Sequence, residues 1–581
     1  MNILGMNVFH GDSSAALVQD GKLVAAIEEE RFNRIKHWAG FPAESIRFCL
    51  ESADLRPGDV DHVAFGFNPR ANFWRKILFT LRYRPNLGFL LGRFKRQAKS
   101  INLRKLFAQA CNCTVHDVQA QFHNVEHHAA HLASAFNVSP FERAALLSID
   151  GMGDFVSSLS AIGEGTNIRQ LSRVYYPHSL GWLYQAITLY LGFHNYGDEY
   201  KVMGLAPYGE PEFVDQFRQL IRPHGDGFVL NLDYFTHHTQ GVAASWEGGS
   251  PTTPPFHSPK LEHLLGPAAQ PKAELTERHQ NIASSLQVVT EEILFHVLRQ
   301  LHKKYPCDDL CLAGGVAMNS VANGKITENT PFRNIYIPPA AADNGTSFGS
   351  AYYVWNQILG QPRGFQLDSA AWGTQFTDQQ CRTAIESRGL EAQKLDKQDL
   401  LETIIDTICD GRVVGWFQGK MELGARALGN RSLLADPRRT DMRDIINLKI
   451  KFREKFRPFA PSIMEEHVSD YFESDQPSPF MERVLKIRPE KRDVIPAVTH
   501  VDGTGRLQTV SRSTNPLYWE LINKFASRTG VPIILNTSLN ENEPIVNEPG
   551  QALDCMLRTQ MDAIVLGSYF VKRPATAQAA A

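Results

Sequence analysis

Four histidines fall within nine positions of "HNVEHHAAHLASAF" (123–136). Imidazole is the commonest side-chain nitrogen donor to transition metals. On a helix, His123/His127 and His127/His131 stand at i,i+4 and His128/His131 at i,i+3, so three pairs could share a face. Spacing alone does not choose among a metal site, a nucleic-acid contact and an ordinary helix. Complementary oxygen donors stand at two strand ends, Asp150 in "SIDGMGD" and Asp343 in "PAAADNGTSFG". Two imidazoles with two such carboxylates make a mixed nitrogen–oxygen site suited to iron(II), manganese or zinc. A lone aspartate there more often forms a turn or caps a helix, so the set works only if the fold brings it together.

Four short loops follow apolar runs: "HGDSS" (10–14), "DGMGD" (150–154), "AGGVAMN" (313–319) and "DNGTSFG" (343–349). Small residues let main-chain N–H groups approach phosphate oxygens, which makes Gly314, Gly315, Asn319 and Gly345 candidate nucleotide contacts. No G-x-x-x-x-G-K-[ST] occurs, which argues against a Walker-type NTPase. The four loops together resemble the nucleotide-binding layout of the actin/sugar-kinase superfamily. Nearer the C-terminus, "MELGARALGNRSLLADPR" supplies Arg426 and Arg431, and "NLKIKFREKFRPFAPS" supplies Lys451 and Arg457. "DGTGRLQTV" adds Arg506 and "LNTSLN" adds Ser538 and Asn540. Guanidinium forks, amides and hydroxyls suit phosphate and carboxylate groups, and these clusters beside apolar strands predict a converging anion pocket.

Strands alternating with helices must position these groups. "NILGMNVF" and "SAALVQDGKLVAAIEEE" predict β-runs around an Asp20-Gly21 turn. "RAALLSIDGMGDFVSSLSAIGEG" (143–165) repeats the design, with Asp-Gly-x-Gly as the predicted turn. The pattern implies a duplicated α/β domain with ligands at the carboxyl ends of strands. Composition shifts near 360–375, which divides the chain into domains 1–365 and 366–572, with 573–581 as a disordered tail.

At 581 residues, 43% hydrophobic and 21% charged, the chain has the composition of a soluble multidomain protein. A net charge of −2 gives no general attraction to nucleic acid. No stretch of about 18 uncharged apolar residues predicts a membrane span. Eight cysteines without a C-x-x-C pair predict reduced thiols and a cytoplasmic protein. One segment, 68–107, carries many Arg and Lys and no Asp or Glu among its aromatic and aliphatic residues. It reads as a helical insert with solvated cations, or as a surface for anionic lipid headgroups or a charged glycan.

The strings "HGDSSAALVQDGKLVAAIEEERFNRIKH", "EHHAAHLASAF", "DEYKVMGLAPYG", "GGVAMN", "ADNGTSFG", "GARALGNRSLLADPR", "KFREKFRPFAPS" and "LNTSLNENEPIV" occur in that order. Jointly they resemble the O-carbamoyltransferases, which include nodulation-factor and antibiotic-tailoring enzymes. The resemblance runs to about residue 570, with Ala425, Leu539 and Asn542 departing from the usual proline, phenylalanine and glycine. It implies an N-terminal duplicated actin/sugar-kinase-like (ASKHA) domain and a C-terminal YrdC-like α/β domain. The YrdC-like domain would combine ATP, with magnesium, and carbamoyl phosphate into carbamoyl-adenylate. The first domain would pass the carbamoyl group to a hydroxyl on a glycan or other small-molecule acceptor.

The metal ligands implied are His127, His131, Asp150 and Asp343, with iron the expected ion and manganese or zinc the alternatives. His128 matches a non-ligand position and is expected to point toward a loop or substrate. His10, with Asp12 in the same loop, is the catalytic candidate for moving the acceptor's proton. No nucleic-acid partner is expected, and a homodimer stays open. The competing readings are a threonylcarbamoyl-type tRNA-modifying enzyme, a sugar kinase of the same superfamily and a silent nucleotide-binding module.

Overall fold

The computed structural model describes residues 1–86, 102–242 and 249–574. It divides into two units, Met1–Glu30 with Ile35–Leu367, and Arg31–Arg34 with Asp368–Ala581.

The first unit holds two five-stranded sheets. One is built from β1 (Asn2–Asn7), β2 (Ser14–Gln19), β3 (Lys22–Glu28), β4 (His62–Phe65) and β5 (Gln121–Asn124), in the order β3-β2-β1-β4-β5. The other takes β6 (Arg143–Gly153), β7 (Val156–Glu164) and β8 (Asn167–Tyr175), passes over the separate hairpin β9 (Ile221–His224) and β10 (Gly227–Leu230), and resumes with β11 (Asp309–Ala313) and β12 (Asn334–Tyr336). Its order, β12-β11-β6-β7-β8, is the first order read from the opposite edge. Directions match as well: β1 is antiparallel to β2 and parallel to β4, as β6 is to β7 and β11. This repeated arrangement is the duplicated α/β domain that the sequence pattern implies.

The β2–β3 turn uses Asp20 (φ 48°) and Gly21 (φ 79°), the left-handed pair that suits the twist of a hairpin. The second hairpin differs from the expected Asp-Gly-x-Gly turn. Strand β6 continues through Gly151 and Gly153, and the chain reverses at Asp154 (φ 47°) and Phe155 (φ 74°). The glycines do other work, because a Cβ on Gly153 would lie 2.0 Å from the His127 ring. Asp150 therefore sits within a strand, inside the register irregularity between Ile149 and Gly153, and not in a turn.

Two buried helices occupy the middle of the unit. The His127–Phe136 helix is alanine-rich and buried at every position, and the Glu126 carboxylate caps it by accepting from Ala129 N at 2.8 Å. The Thr346–Tyr353 helix packs against it and against β1. Close approach requires glycine: a Cβ on Gly349 would lie 2.1 Å from the Ala130 oxygen, and one on Gly5 would lie 1.9 Å from the Ser347 oxygen. The basic segment contributes the helices Phe73–Tyr83 and Leu103–Ala110, while its residues 87–101 lie outside the described residues.

The second unit is one nine-stranded mixed sheet. Its strands are β13 (Gln393–Lys394), β14 (Val414–Phe417), β15 (Arg431–Ala435), β16 (Ala460–Met464), β17 (Arg483–Lys486), β18 (Thr504–Val510), β19 (Ile533–Ser538), β20 (Ala563–Leu566) and β21 (Tyr569–Lys572). The order is β13-β21-β20-β14-β15-β19-β16-β18-β17. Helices Lys397–Cys409, Pro516–Thr529 and Pro549–Arg558 supply apolar faces to its core, around the fully buried Trp416 and Tyr518. Of the expected tail, Arg573 and Pro574 are described and 575–581 are not. Among the described residues no helix is long and apolar enough to cross a membrane.

Gly349→Ala should destabilise the first unit by about 1–3 kcal/mol, since the new methyl must displace helix backbone. A chemical-denaturation midpoint equal to wild type would show that the two helices can part without cost.

Candidate metal centre

One turn of the His127–Phe136 helix brings two Nε2 atoms to the same point: His127 Nε2 and His131 Nε2 are 3.1 Å apart. Asp150 Oδ2 lies 3.1 Å from the first and 3.5 Å from the second, and Asp343 Oδ1 lies at 3.5 and 3.4 Å. All four donor atoms fall within 4.8 Å of one another. A tetrahedral ion bonded at about 2.1 Å needs donors about 3.4 Å apart, so the spacing matches a bound divalent metal. His127 Nδ1–H donates to the Gly66 oxygen at 3.2 Å, so Nε2 is the nitrogen that would face a metal once its proton is displaced. His131 Nδ1 is buried without a hydrogen-bond partner, so that ring's other nitrogen is its polar anchor. Two inward-facing imidazole nitrogens beside two carboxylates fit a shared cation.

The charges say the same. Burial alone would lower the His127 value, but the carboxylates of Asp343 and Asp150 outweigh it and push the imidazole up to about 10. Burial would raise Asp150, while hydrogen bonds from His127 and His131 hold its carboxyl well below the ordinary range. Asp154 sits behind the helix start, accepting His127 N at 2.9 Å and Asn68 N at 2.7 Å. Burial and then the neighbouring Glu126 push it up to about 6.

Glycines shape this centre. Gly315 N donates to Asp150 Oδ1 at 3.0 Å, and a Cβ there would come within 2.7 Å of that oxygen. Gly314 (φ 96°) has its N–H on the Ala341 oxygen, and a Cβ on it would lie 2.3 Å from the Ile149 oxygen. Gly345 is buried against the Ala340 oxygen. Read from the sequence as nucleotide contacts, Gly314, Gly315 and Gly345 here let the strands and helices that carry the ligands come together. Asn319 is likewise occupied: its amide exchanges two hydrogen bonds with Gln287 and caps Ala322 N.

His128 does not reach a loop or substrate. It is fully buried, accepting from Ser148 Oγ at 2.8 Å and donating to the Val156 oxygen at 2.9 Å, so it ties the helix to β6 and β7. His123 lies on β5 and pairs with His62 across to β4 at 3.0 Å. His10 stands at the edge of the centre, with Nδ1 3.8 Å from Asp343 Oδ2 and its ring 5.7 Å from that of His127. Asp12 turns to His37 Nδ1 at 2.7 Å, and the main-chain N–H of His37 donates to Glu30. Sequence reasoning missed this Asp12–His37–Glu30 group and Tyr196, which packs on His37 at 5.5 Å. Burial, then Asp343 and Asp12, drive the Tyr196 phenol well above its usual range. The signal was present in "EEERFNRIKH", whose charges have no helical-face pattern to explain them.

In the second unit, Lys451 is buried and donates to Ser538 O (2.5 Å), Asn540 O (2.8 Å) and Asn540 Oδ1 (2.6 Å). An ammonium has three protons, so Lys451 holds the Ser538–Asn540 loop in shape. Arg431 departs further from its expected anion contact. It is fully buried over Phe417, 3.7 Å from the ring centre, with its terminal nitrogens on main-chain oxygens of Thr374, Gln418, Gly419 and Asn430. Arg506 keeps the expected character. Burial, and then the charges of Arg426, Arg457 and Arg453, drive it well below the ordinary arginine value, so several cations act on one another there.

Comparison with known proteins follows the same division. A family model described as Carbamoyltransferase N-terminus matches residues 2–352, and one described as Carbamoyltransferase C-terminus matches residues 405–573. The nodulation protein NolNO of Sinorhizobium fredii is 40% identical over 98% of this chain and 80% of its own. NolO of Bradyrhizobium diazoefficiens is 41% identical over 78% of this chain and 80% of its own. An uncharacterized protein of Synechocystis is 39% identical over 99% of this chain and 97% of its own.

His127→Ala and Asp343→Asn should each lower the metal retained after purification, read by elemental analysis. In the wild type a metal must displace the proton that His127 otherwise keeps up to about pH 10. Apparent affinity, measured by calorimetric titration, should therefore rise about tenfold per pH unit from pH 6 to 8. An affinity flat across that range would show that the metal does not take His127.

Proposed function

The chain belongs to the carbamoyltransferase family, and from that premise we propose that it is an ATP-dependent O-carbamoyltransferase with a metal centre in its first unit. The enzyme transfers carbamoyl groups; ATP, the adenylate intermediate and the acceptor's class are the proposal. The single observation behind it is the convergence of His127, His131, Asp150 and Asp343 on one point.

Carbamoyl-adenylate formation is assigned to the second, YrdC-like unit. Carbamoyl phosphate gives carbamate by loss of phosphate to water. A carbamate oxygen then bonds the α-phosphorus of magnesium-bound ATP, and pyrophosphate leaves. Arg426, Arg457 and Arg506 are the cations for these phosphates, because their charges act on one another and a bound anion would lower that repulsion. Lys451 and Asn540 set the position of Ser538, whose hydroxyl lies 2.8 Å from Asn540 Oδ1.

Transfer is assigned to the first unit. The acceptor oxygen bonds the carbamoyl carbon, the bond from that carbon to the AMP phosphate oxygen breaks, and the acceptor proton goes to His10. His127, His131, Asp150 and Asp343 would hold a divalent ion, iron(II) by expectation, which would supply Lewis-acid stabilisation of negative charge. Asp343 serves two groups, with Oδ1 toward the imidazole pair and Oδ2 toward His10, so it orients the proton acceptor relative to the centre. His37 holds Asp12 away from that role through their 2.7 Å contact. The acceptor in this proposal is a glycan hydroxyl, with other small-molecule hydroxyls as the alternative.

The half-reactions separate by mutation. His127→Ala should keep carbamoyl-phosphate-dependent pyrophosphate release and lose transfer by on the order of 10²-fold or more. Arg506→Gln should lose both. Radiolabelled carbamoyl phosphate and pyrophosphate assays read them apart, and transfer at the wild-type rate in His127→Ala rejects the assignment.

A further inference from the structure

The described helix of the basic segment, Phe73–Tyr83, has two unlike faces. Inward, the Phe79 ring packs on Phe155 at 5.4 Å and Tyr176 at 4.9 Å. Outward, Phe73, Trp74, Leu78 and Leu81 are 57, 75, 58 and 67% exposed. They are four of the eleven exposed large apolar side chains among the described residues, gathered on three turns of one helix. Trp74, Leu78 and Leu81 stand at i, i+4 and i+7, which aligns them as one stripe. An apolar group of this kind on a protein surface marks an interaction site.

The charge around the stripe names the partner. Arg75, Lys76 and Arg82 lie on the helix and Arg84 ends it, and no Asp or Glu occurs from 68 to 107. Leu78 also lines a cavity of about 370 Å³ between the helix and strands β7 and β8, together with Arg75, Arg82 and Arg173. Asp226 at that cavity is ion-paired with Lys304, so the arginines dominate the field there. We propose that this helix docks the protein on an anionic phospholipid surface, with Phe73, Trp74, Leu78 and Leu81 in the interfacial layer and Arg75, Arg82 and Arg173 against lipid phosphates. Tryptophan, phenylalanine and leucine opposite lysine and arginine is the pattern of helices that lie in a membrane interface. Anionic lipid adds attraction for each cation near the surface. A second copy of the chain would oppose the same cations to themselves, and a nucleic acid would leave the apolar stripe in water. The carbamoyl chemistry is not needed for this step, so the two stand or fall separately.

The test is flotation of the full chain with vesicles, without substrates. Vesicles of phosphatidylcholine mixed with phosphatidylglycerol should bind at least about tenfold more protein than pure phosphatidylcholine vesicles, and added salt should reduce the difference. Trp74→Ser combined with Leu78→Ser and Leu81→Ser should abolish binding while carbamoyl-phosphate-dependent pyrophosphate release persists, which shows a folded enzyme. Arg75→Gln with Arg82→Gln should lose the preference for anionic vesicles. Equal binding to both vesicle types, or wild-type binding by the serine variant, overturns the proposal. A serine variant that changes only the oligomeric state also overturns it, by assigning the stripe to a second copy.

Discussion

Two imidazole nitrogens 3.1 Å apart, faced by two carboxylate oxygens at 3.1–3.5 Å, cannot stand as neutral lone pairs and bare anions in a buried place. Lone pairs repel, and uncompensated carboxylates are costly away from water. A shared cation, as proposed, would remove both penalties. The first unit is arranged around that requirement: a helix buried on every side carries the imidazoles, so their rings cannot swing toward solvent. The same burial that would weaken a single charge makes the set tight once the cation is present, because its attraction is poorly screened.

Bringing four donors from three separate elements to one point depends on the missing Cβ. Gly153 leaves room for the His127 ring, Gly315 for the Asp150 carboxylate, and Gly349 for the helix that carries both histidines. The duplication explains where these positions fall. β6 of the second sheet and the loop after β12 each bring one aspartate, and the first sheet presses β1 on the helix that begins just after Asp343. The glycine-rich loops thus serve two ends, close packing and a strand-end opening, and the first is the one the contacts display.

Much of this was legible in the sequence because it rests on periodicity. Strands that alternate with glycine turns have few ways to pair, so a duplicated α/β domain could be read from them, whereas spacing left three histidine pairs open and the family resemblance singled out His127 and His131. What escaped reading depends on which partner a polar side chain finds after folding. Arg431 and Arg506 look alike in sequence, yet one spends its protons on main-chain oxygens over Phe417 while the other joins a repelling group of arginines. His128 differs from His127 by one position and 100° of helix, which turns it from the centre to Ser148 and Val156. The turn at Asp154-Phe155 was misread because glycine signals both turns and close approach, and here only the second applied.

Asp154 shows how the surface and the centre are joined. Its carboxylate accepts from the main chain of His127, its own main-chain oxygen accepts from Asn72, and Asn68 donates to the same carboxylate. Asn68 and Asn72 open the basic segment, and Phe155, the next residue, packs on Phe79 of the exposed helix. A single turn therefore fixes both the first residue of the histidine-bearing helix and the root of the insert. Burial with Glu126 nearby pushes the Asp154 carboxyl up to about 6, while the two main-chain donors favour its anion. Losing either donor raises the cost of that charge, so disturbance at the insert's root is felt first at the backbone of His127.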